Sequence, residues 1–118
     1  VIEIWHNPSC SKSRTAESEL RTAGTDYVVR RYLDEPPTVA ELEDVLARLG
    51  LAPWDITRTA DARKLGVELP AKDESEHDAW VALLAEHPRL IQRPILIGAG
   101  TAVVGRDAES IARAIDSD

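Results

Sequence analysis

The sequence predicts an α/β fold, a mixed sheet made of an early βαβ unit and a late ββα unit with a helical insertion over about residues 38–86. Three features carry that expectation. The first 32 residues read as strand, helix and strand. The middle of the chain repeats apolar residues at helical spacing, and the end sets two short β-branched runs on either side of glycines before a last helix.

Val1, Ile2, Ile4 and Trp5 give a first strand over residues 1–5, and a helix over 10–23 stops at Gly24. Tyr27-Val28-Val29-Arg30-Arg31-Tyr32 is the second strand. A crossover of this length joins parallel neighbours. Asp34-Glu35-Pro36-Pro37 closes the unit. Thr38 and Glu41 have the spacing of a capping box, and Leu42, Val45, Leu46 and Leu49 follow at helical intervals as far as Gly50. Residues 51–74 are less periodic, with Trp54, Ile56, Leu65, Val67 and Leu69 anchoring short helices and turns. Ser75 is placed to cap a helix that carries Trp80, Val81, Leu83 and Leu84 and stops at His87-Pro88. Ile95-Leu96-Ile97 and Thr101-Ala102-Val103-Val104 form a hairpin, and residues 107–116 a helix with Ile111, Ala114 and Ile115 inward. The order matches a thioredoxin-like layout in one domain of residues 1–118.

A chain of 118 residues that is 43% hydrophobic can build a core without a disulfide or metal staple. Its net charge of −7 and the lack of a basic stripe argue against nucleic acid as a partner. One cysteine forbids an intrachain disulfide, and no apolar run approaches the ~18 residues of a membrane span. A soluble, cytoplasmic protein of a reducing compartment is expected, without a membrane partner.

Cys10 is the candidate nucleophile. It sits in His6-Asn7-Pro8-Ser9-Cys10-Ser11-Lys12-Ser13-Arg14, after a strand and at the start of a helix. Unpaired amides and the positive end of the helix dipole lower a thiol pKa from about 8.5 to between roughly 3.5 and 7.5. Lys12 and Arg14 add charge, and the same amides can cradle a tetrahedral oxyanion. A lone cysteine is more often a small buried core residue. Polar, cationic flanks count against that here. His6 either supports the thiolate with positive charge or holds the loop by hydrogen bonding. Ser9 and Ser13 are candidate donors to the sulfur or an anion, while Asn7 and Pro8 shape the turn. His77 and His87 read as structural. Three scattered histidines and one cysteine give no closed metal-ligand spacing, so no metal is expected.

These residues resemble the active-site loop of the glutaredoxin-coupled arsenate reductase family. Tyr32-Leu33-Asp34-Glu35-Pro36-Pro37-Thr38, Leu49-Gly50-Leu51, His87-Pro88-Arg89-Leu90-Ile91-Gln92-Arg93-Pro94-Ile95 and Val103-Val104-Gly105-Arg106 match further landmarks of that family in order. The resemblance implies that Cys10 attacks arsenate and that Arg58, Arg93 and Arg106 hold the anion. It also implies a cis-proline at Pro94, with His6, Ser13 and Arg14 in support. Guanidinium groups suit the task, since they stay charged and offer planar forks of donors to an oxyanion. Arg63 competes with Arg58, which is preferred because it follows Trp54-Asp55-Ile56-Thr57. Arg21, Arg31, Arg48, Arg89 and Arg113 read as solvated surface residues.

Two departures from the family pattern stand out. The segment Thr59–Gly66 is about two residues short and lacks an aromatic. Residue 13 is serine, so the Cys-x-x-Cys switch of the related Spx-type regulators is missing. The expected molecule is a monomer with no bound cofactor. Its partners are arsenate, a low-molecular-weight thiol such as glutathione, and a glutaredoxin-type protein. The alternatives are another small-thiol-dependent reductase, or an Spx-like module that binds RNA polymerase without turnover.

Overall fold

The computed structural model describes residues 1–118. Its elements are β1 (Ile2–Trp5), α1 (Ser11–Ala23), β2 (Tyr27–Arg30), α2 (Val39–Leu49), α3 (Thr59–Leu65), α4 (His77–Glu86), β3 (Ile95–Ile97), β4 (Ala102–Val104) and α5 (Ala108–Ser117), with three short 3-10 turns. The chain forms two units, Val1–Glu35 with Arg93–Asp118, and Pro36–Gln92.

The first unit holds the sheet, in the order β2-β1-β3-β4. β1 runs parallel to β2 and antiparallel to β3, and β3 runs antiparallel to β4. This is the mixed α/β sheet of a thioredoxin-like fold. Ile2 and Ile4, two apart on β1, fall on one face of the sheet and are fully buried with Leu96 and Val103 from β3 and β4, Ala16 and Leu20 from α1, and Ile111 and Ala114 from α5. Each large aliphatic side chain here contributes about 1.5–3 kcal/mol by leaving water. Ser13, Ala16 and Leu20 are buried at helical spacing, so α1 lays one stripe on the sheet. Gly24 ends the helix at φ 70°, where a residue with a Cβ is strained, and returns its amide to Arg21 O. Asp107 caps α5 by accepting from the Ser110 amide at 2.7 Å.

The second unit is helical. Thr38 and Glu41 close a reciprocal capping box on α2, which buries Leu42, Val45 and Leu46. Trp80, Val81 and Leu84 are the buried face of α4. The Trp80 indole donates to Ala71 O at 2.8 Å, and the Trp54 ring meets it edge-on at 6.1 Å between centroids. His77 Nε2 lies 2.6 Å from Glu43 Oε1, so an imidazole on α4 is tied to a carboxylate on α2.

Several boundaries differ from the sequence expectation. β2 stops at Arg30, not Tyr32, because the Arg31 carbonyl accepts from the Asp34 and Glu35 amides and turns the chain, burying Tyr32. Ser75 is not a cap; Asp73 accepts from its amide and starts a 3-10 turn that leads into α4. Thr101 falls outside β4. Leu65 is no core anchor, since it lies 45% exposed on the last turn of α3.

Candidate active site

Strand pairing sets the geometry of the site. Trp5, the last residue of β1, pairs with Ile95 at the start of β3, and Ile95 pairs with Val104 at the end of β4. The segments that follow β1, precede β3 and follow β4 therefore meet at one end of the sheet. They carry His6 to Cys10, Arg93 with Pro94, and Gly105 with Arg106.

The loop after β1 is shaped by its own polar groups. The Asn7 side-chain carbonyl accepts from the Ser9 amide at 3.0 Å, and the Asn7 backbone carbonyl accepts from the Cys10 amide at 3.0 Å. Cys10 is not inside α1 but at its N-cap, with extended backbone (φ −97°, ψ 125°), and its carbonyl accepts the first helical bond from Arg14 at 3.0 Å. Arg14 Nη1 donates back to Pro8 O at 2.9 Å.

Partial burial pushes the Cys10 thiol pKa up, but opposing contributions outweigh it and leave the thiol below its ordinary value. These are hydrogen bonding toward the sulfur from the Ser13 amide, the Arg93 guanidinium and the Lys12 amide, in that order, with a smaller contribution from the charge of Arg93.

Ser13 is fully buried one turn into α1, and its hydroxyl oxygen accepts from the Asn7 amide at 3.0 Å and lies 2.7 Å from His6 Nδ1. The hydroxyl is thus committed to the loop. Burial lowers the His6 pKa; the Glu17 charge opposes this, and Arg31 and Arg14 reinforce it. A neutral, hydrogen-bonded imidazole is the form that results near pH 7. Of the two roles open to His6, this is the geometry of the loop support.

Arg93 precedes buried Pro94 through a cis peptide bond. The Arg93 carbonyl accepts from Arg106 Nη1 at 2.7 Å, and the Pro94 carbonyl accepts from the Gly105 amide at 2.9 Å. Gly105 packs closely here: a Cβ in its place would stand 3.1 Å from the Leu96 side chain, which would have to give way by a few tenths of an ångström. Cys10, His6, Ser13, Arg14, Arg93, Pro94 and Arg106 thus all belong to one unit. Arg58 belongs to the other, where it precedes α3 and its Nε donates to Asp61 Oδ2 at 2.6 Å. Arg63 is exposed in the last turn of α3.

The sequence did not reveal the Arg106 bond to the Arg93 carbonyl or the cation-π contact of Arg30 over Trp5 at 5.6 Å. Both depend on strand register. It also missed the approach of Glu43, His77 and Asp78, whose ligand atoms lie within 4.8 Å of one another in the second unit. Helical periodicity reports faces of single helices, and this cluster spans two.

The model of the ArsC family matches residues 5–114. The chain belongs to the ArsC family. Among ArsC relatives, a Streptomyces viridochromogenes protein described as an uncharacterized protein in the glnII region is 55% identical over 117 residues, which is 97% of this chain and 98% of that protein. An arsenate reductase of Neisseria meningitidis serogroup A is 43% identical over 113 residues, 93% of this chain and 94% of its own. The solved structure of an arsenate reductase from Vibrio cholerae aligns with a TM-score of 0.79 at 35% identity, covering 95% of both chains.

Proposed function

We propose that this ArsC protein is an arsenate reductase whose cysteine adduct is resolved by an external thiol of the glutathione and glutaredoxin type. The single observation that supports the reading is the Arg93 guanidinium against the Cys10 sulfur beside the first amides of α1, an arrangement suited to a thiolate that attacks an oxyanion. Arsenate brings about two negative charges to a thiolate, and that repulsion must be offset before sulfur can reach arsenic. Arg93 and Arg106 do so with fixed guanidinium donors. Arg58 is the third on motif alone.

The Cys10 thiolate attacks arsenic, a sulfur–arsenic bond forms, and one arsenate oxygen leaves as water after protonation. Arsenic is still pentavalent. A small thiol then displaces a second oxygen as water and gives a Cys10–arsenic–thiol species. A second thiolate attacks the sulfur of that small thiol, so a disulfide forms and the electron pair of the arsenic–sulfur bond goes to arsenic. Arsenic is now trivalent. Water releases arsenite and returns Cys10 as a thiol. With one cysteine the chain has no resolving partner of its own, so both electrons come from outside thiols and no resident cofactor takes part. The working unit in this reading is a cytoplasmic monomer.

The test is arsenite formation from arsenate with glutathione plus glutaredoxin, with thioredoxin, and with each small thiol alone. Turnover with glutathione and glutaredoxin, and little with thioredoxin alone, is expected. Efficient turnover with thioredoxin as sole reductant overturns the glutaredoxin coupling, and no arsenite under any condition overturns the activity.

A further inference from the structure

His77 opens α4, and the charged groups that act on its ring are all carboxylates. Nε2 lies 2.6 Å from Glu43 Oε1 on α2, and Nδ1 lies 3.8 Å from Glu74 Oε1 in the 3-10 turn before α4. Asp78 follows in the helix. One ligand atom each from Glu43, His77 and Asp78 stands within 4.8 Å of the other two. The convergence is set by the scaffold. α2 and α4 pack on each other, with Leu42, Val45 and Leu46 buried on one helix and Trp80, Val81 and Leu84 on the other. No lysine or arginine forms an ion pair with Glu43, Glu74 or Asp78. Carboxylates held together in this way repel one another, and only the imidazole stands among them to offset it.

We propose that Glu43, His77 and Asp78 form a binding site for a divalent transition-metal ion of the zinc class, bridging α2 and α4. The donor set chooses the metal. Magnesium and calcium take six or more oxygen ligands, whereas zinc accepts imidazole and carboxylate together, and water fills the position left open on an exposed face. Donor atoms at about 2.0–2.2 Å from zinc stand about 3.3 Å apart in a tetrahedron, so the His77–Glu43 pair has only to open slightly to admit the ion. Two carboxylates and a neutral imidazole balance its charge. Glu74 stands on the side of the other ring nitrogen, where a metal-bound histidine commonly gives its N–H to a carboxylate. The ion takes the place of the proton that otherwise joins His77 to Glu43. The site belongs to the second unit and is no part of the reaction at Cys10.

The experiment titrates the full chain with zinc chloride by calorimetry after Cys10 has been blocked with iodoacetamide, which removes the thiolate as a competing ligand. Neither arsenate nor a thiol enters the assay. One saturating equivalent is expected, and zinc should raise the urea midpoint of the same protein, because it binds the folded chain. Glu43→Gln, His77→Gln and Asp78→Asn should each weaken binding by about tenfold or more and remove the rise in midpoint. All three positions lie at the surface, and the urea transition of each variant without zinc shows that it folds. An equal concentration of magnesium should leave the zinc isotherm unchanged. Absence of saturable binding overturns the proposal. Parent-like binding in His77→Gln does so too, since the ion would then sit elsewhere, and parent-like binding in either carboxylate variant reduces the site to a lone imidazole and overturns it equally. Displacement of zinc by equal magnesium overturns the choice of metal.

Discussion

Arg106 donates from Nη1 to the backbone carbonyl of Arg93 at 2.7 Å, so one of the guanidiniums proposed to bind the anion positions the residue that carries the other. Beside it the Gly105 amide donates to Pro94 O at 2.9 Å. Together these bonds clamp the end of β4 to the entrance of β3. Arg106→Lys keeps the charge but loses the planar fork that can hold a carbonyl and an oxyanion at once. Arsenate kcat/KM is expected to fall about tenfold to a hundredfold, since a hydrogen bond to a charged group contributes about 1.5–3 kcal/mol. A kcat/KM equal to that of the parent protein rules out this role.

Arg93 acts on the sulfur directly, so its loss should be visible without substrate. Arg93→Gln removes both the hydrogen-bond contribution and the charge that hold the Cys10 pKa down, while burial still pushes it up. The midpoint of the pH profile for alkylation by iodoacetamide is expected below the free-thiol value of about 8.5 in the parent and higher in Arg93→Gln. Coincident profiles would detach Arg93 from the thiol.

Ser13 serves the loop through one oxygen that meets both the Asn7 amide and His6 Nδ1. Ser13→Ala leaves those groups without that partner at a position where Ser13 and His6 are buried. A stability loss of about 1–3 kcal/mol follows from the unsatisfied donor, read as a lower urea midpoint at unchanged slope. Ser13→Cys would place a second sulfur close to the first, and its redox behaviour would no longer report on the single-thiol chemistry.

Much of this was legible in the sequence for definable reasons. Thr38 with Glu41 and the apolar spacing from Leu42 to Leu46 specify a capped amphipathic helix by local rules alone, and α2 follows them. The Cys10 loop was legible because strand, turn and helix start are consecutive in the chain. What was hidden depends on contacts across the chain. Tyr32 read as strand because tyrosine favours strands, yet the Arg31 turn removed it from the ladder. Leu65 read as an anchor, but Gly66 stops α3 immediately after it and leaves it on an exposed turn. The bond from Arg106 to the Arg93 carbonyl joins residues 13 apart, and that of His77 to Glu43 residues 34 apart, so no short-range pattern encodes either.

The last expectation concerns stability against pH in the second unit. The Glu43 hydrogen bond, with smaller help from the charges of Glu43, Glu74 and Asp78, raises the His77 pKa over a modest opposing effect of burial. A raised histidine pKa means that the folded state holds the proton more tightly than the unfolded chain. The stabilisation is complete below the unfolded value of about 6.5 and disappears as pH climbs through the higher folded value. His6 and Cys10 work in the opposite sense, because both pKa values are lowered and folding gains stability from them as pH rises. The informative quantity is therefore the difference between the parent and His77→Gln, measured as urea unfolding free energies from pH 5.5 to pH 8.5. That difference should be about 0.2–1 kcal/mol in favour of the parent at the acid end, the range of a solvent-exposed ion pair, and should shrink toward the alkaline end. Half a molar salt should reduce it as well. A difference that is flat across this range, or that grows with pH, would show that His77 packs between α2 and α4 without holding a proton for Glu43.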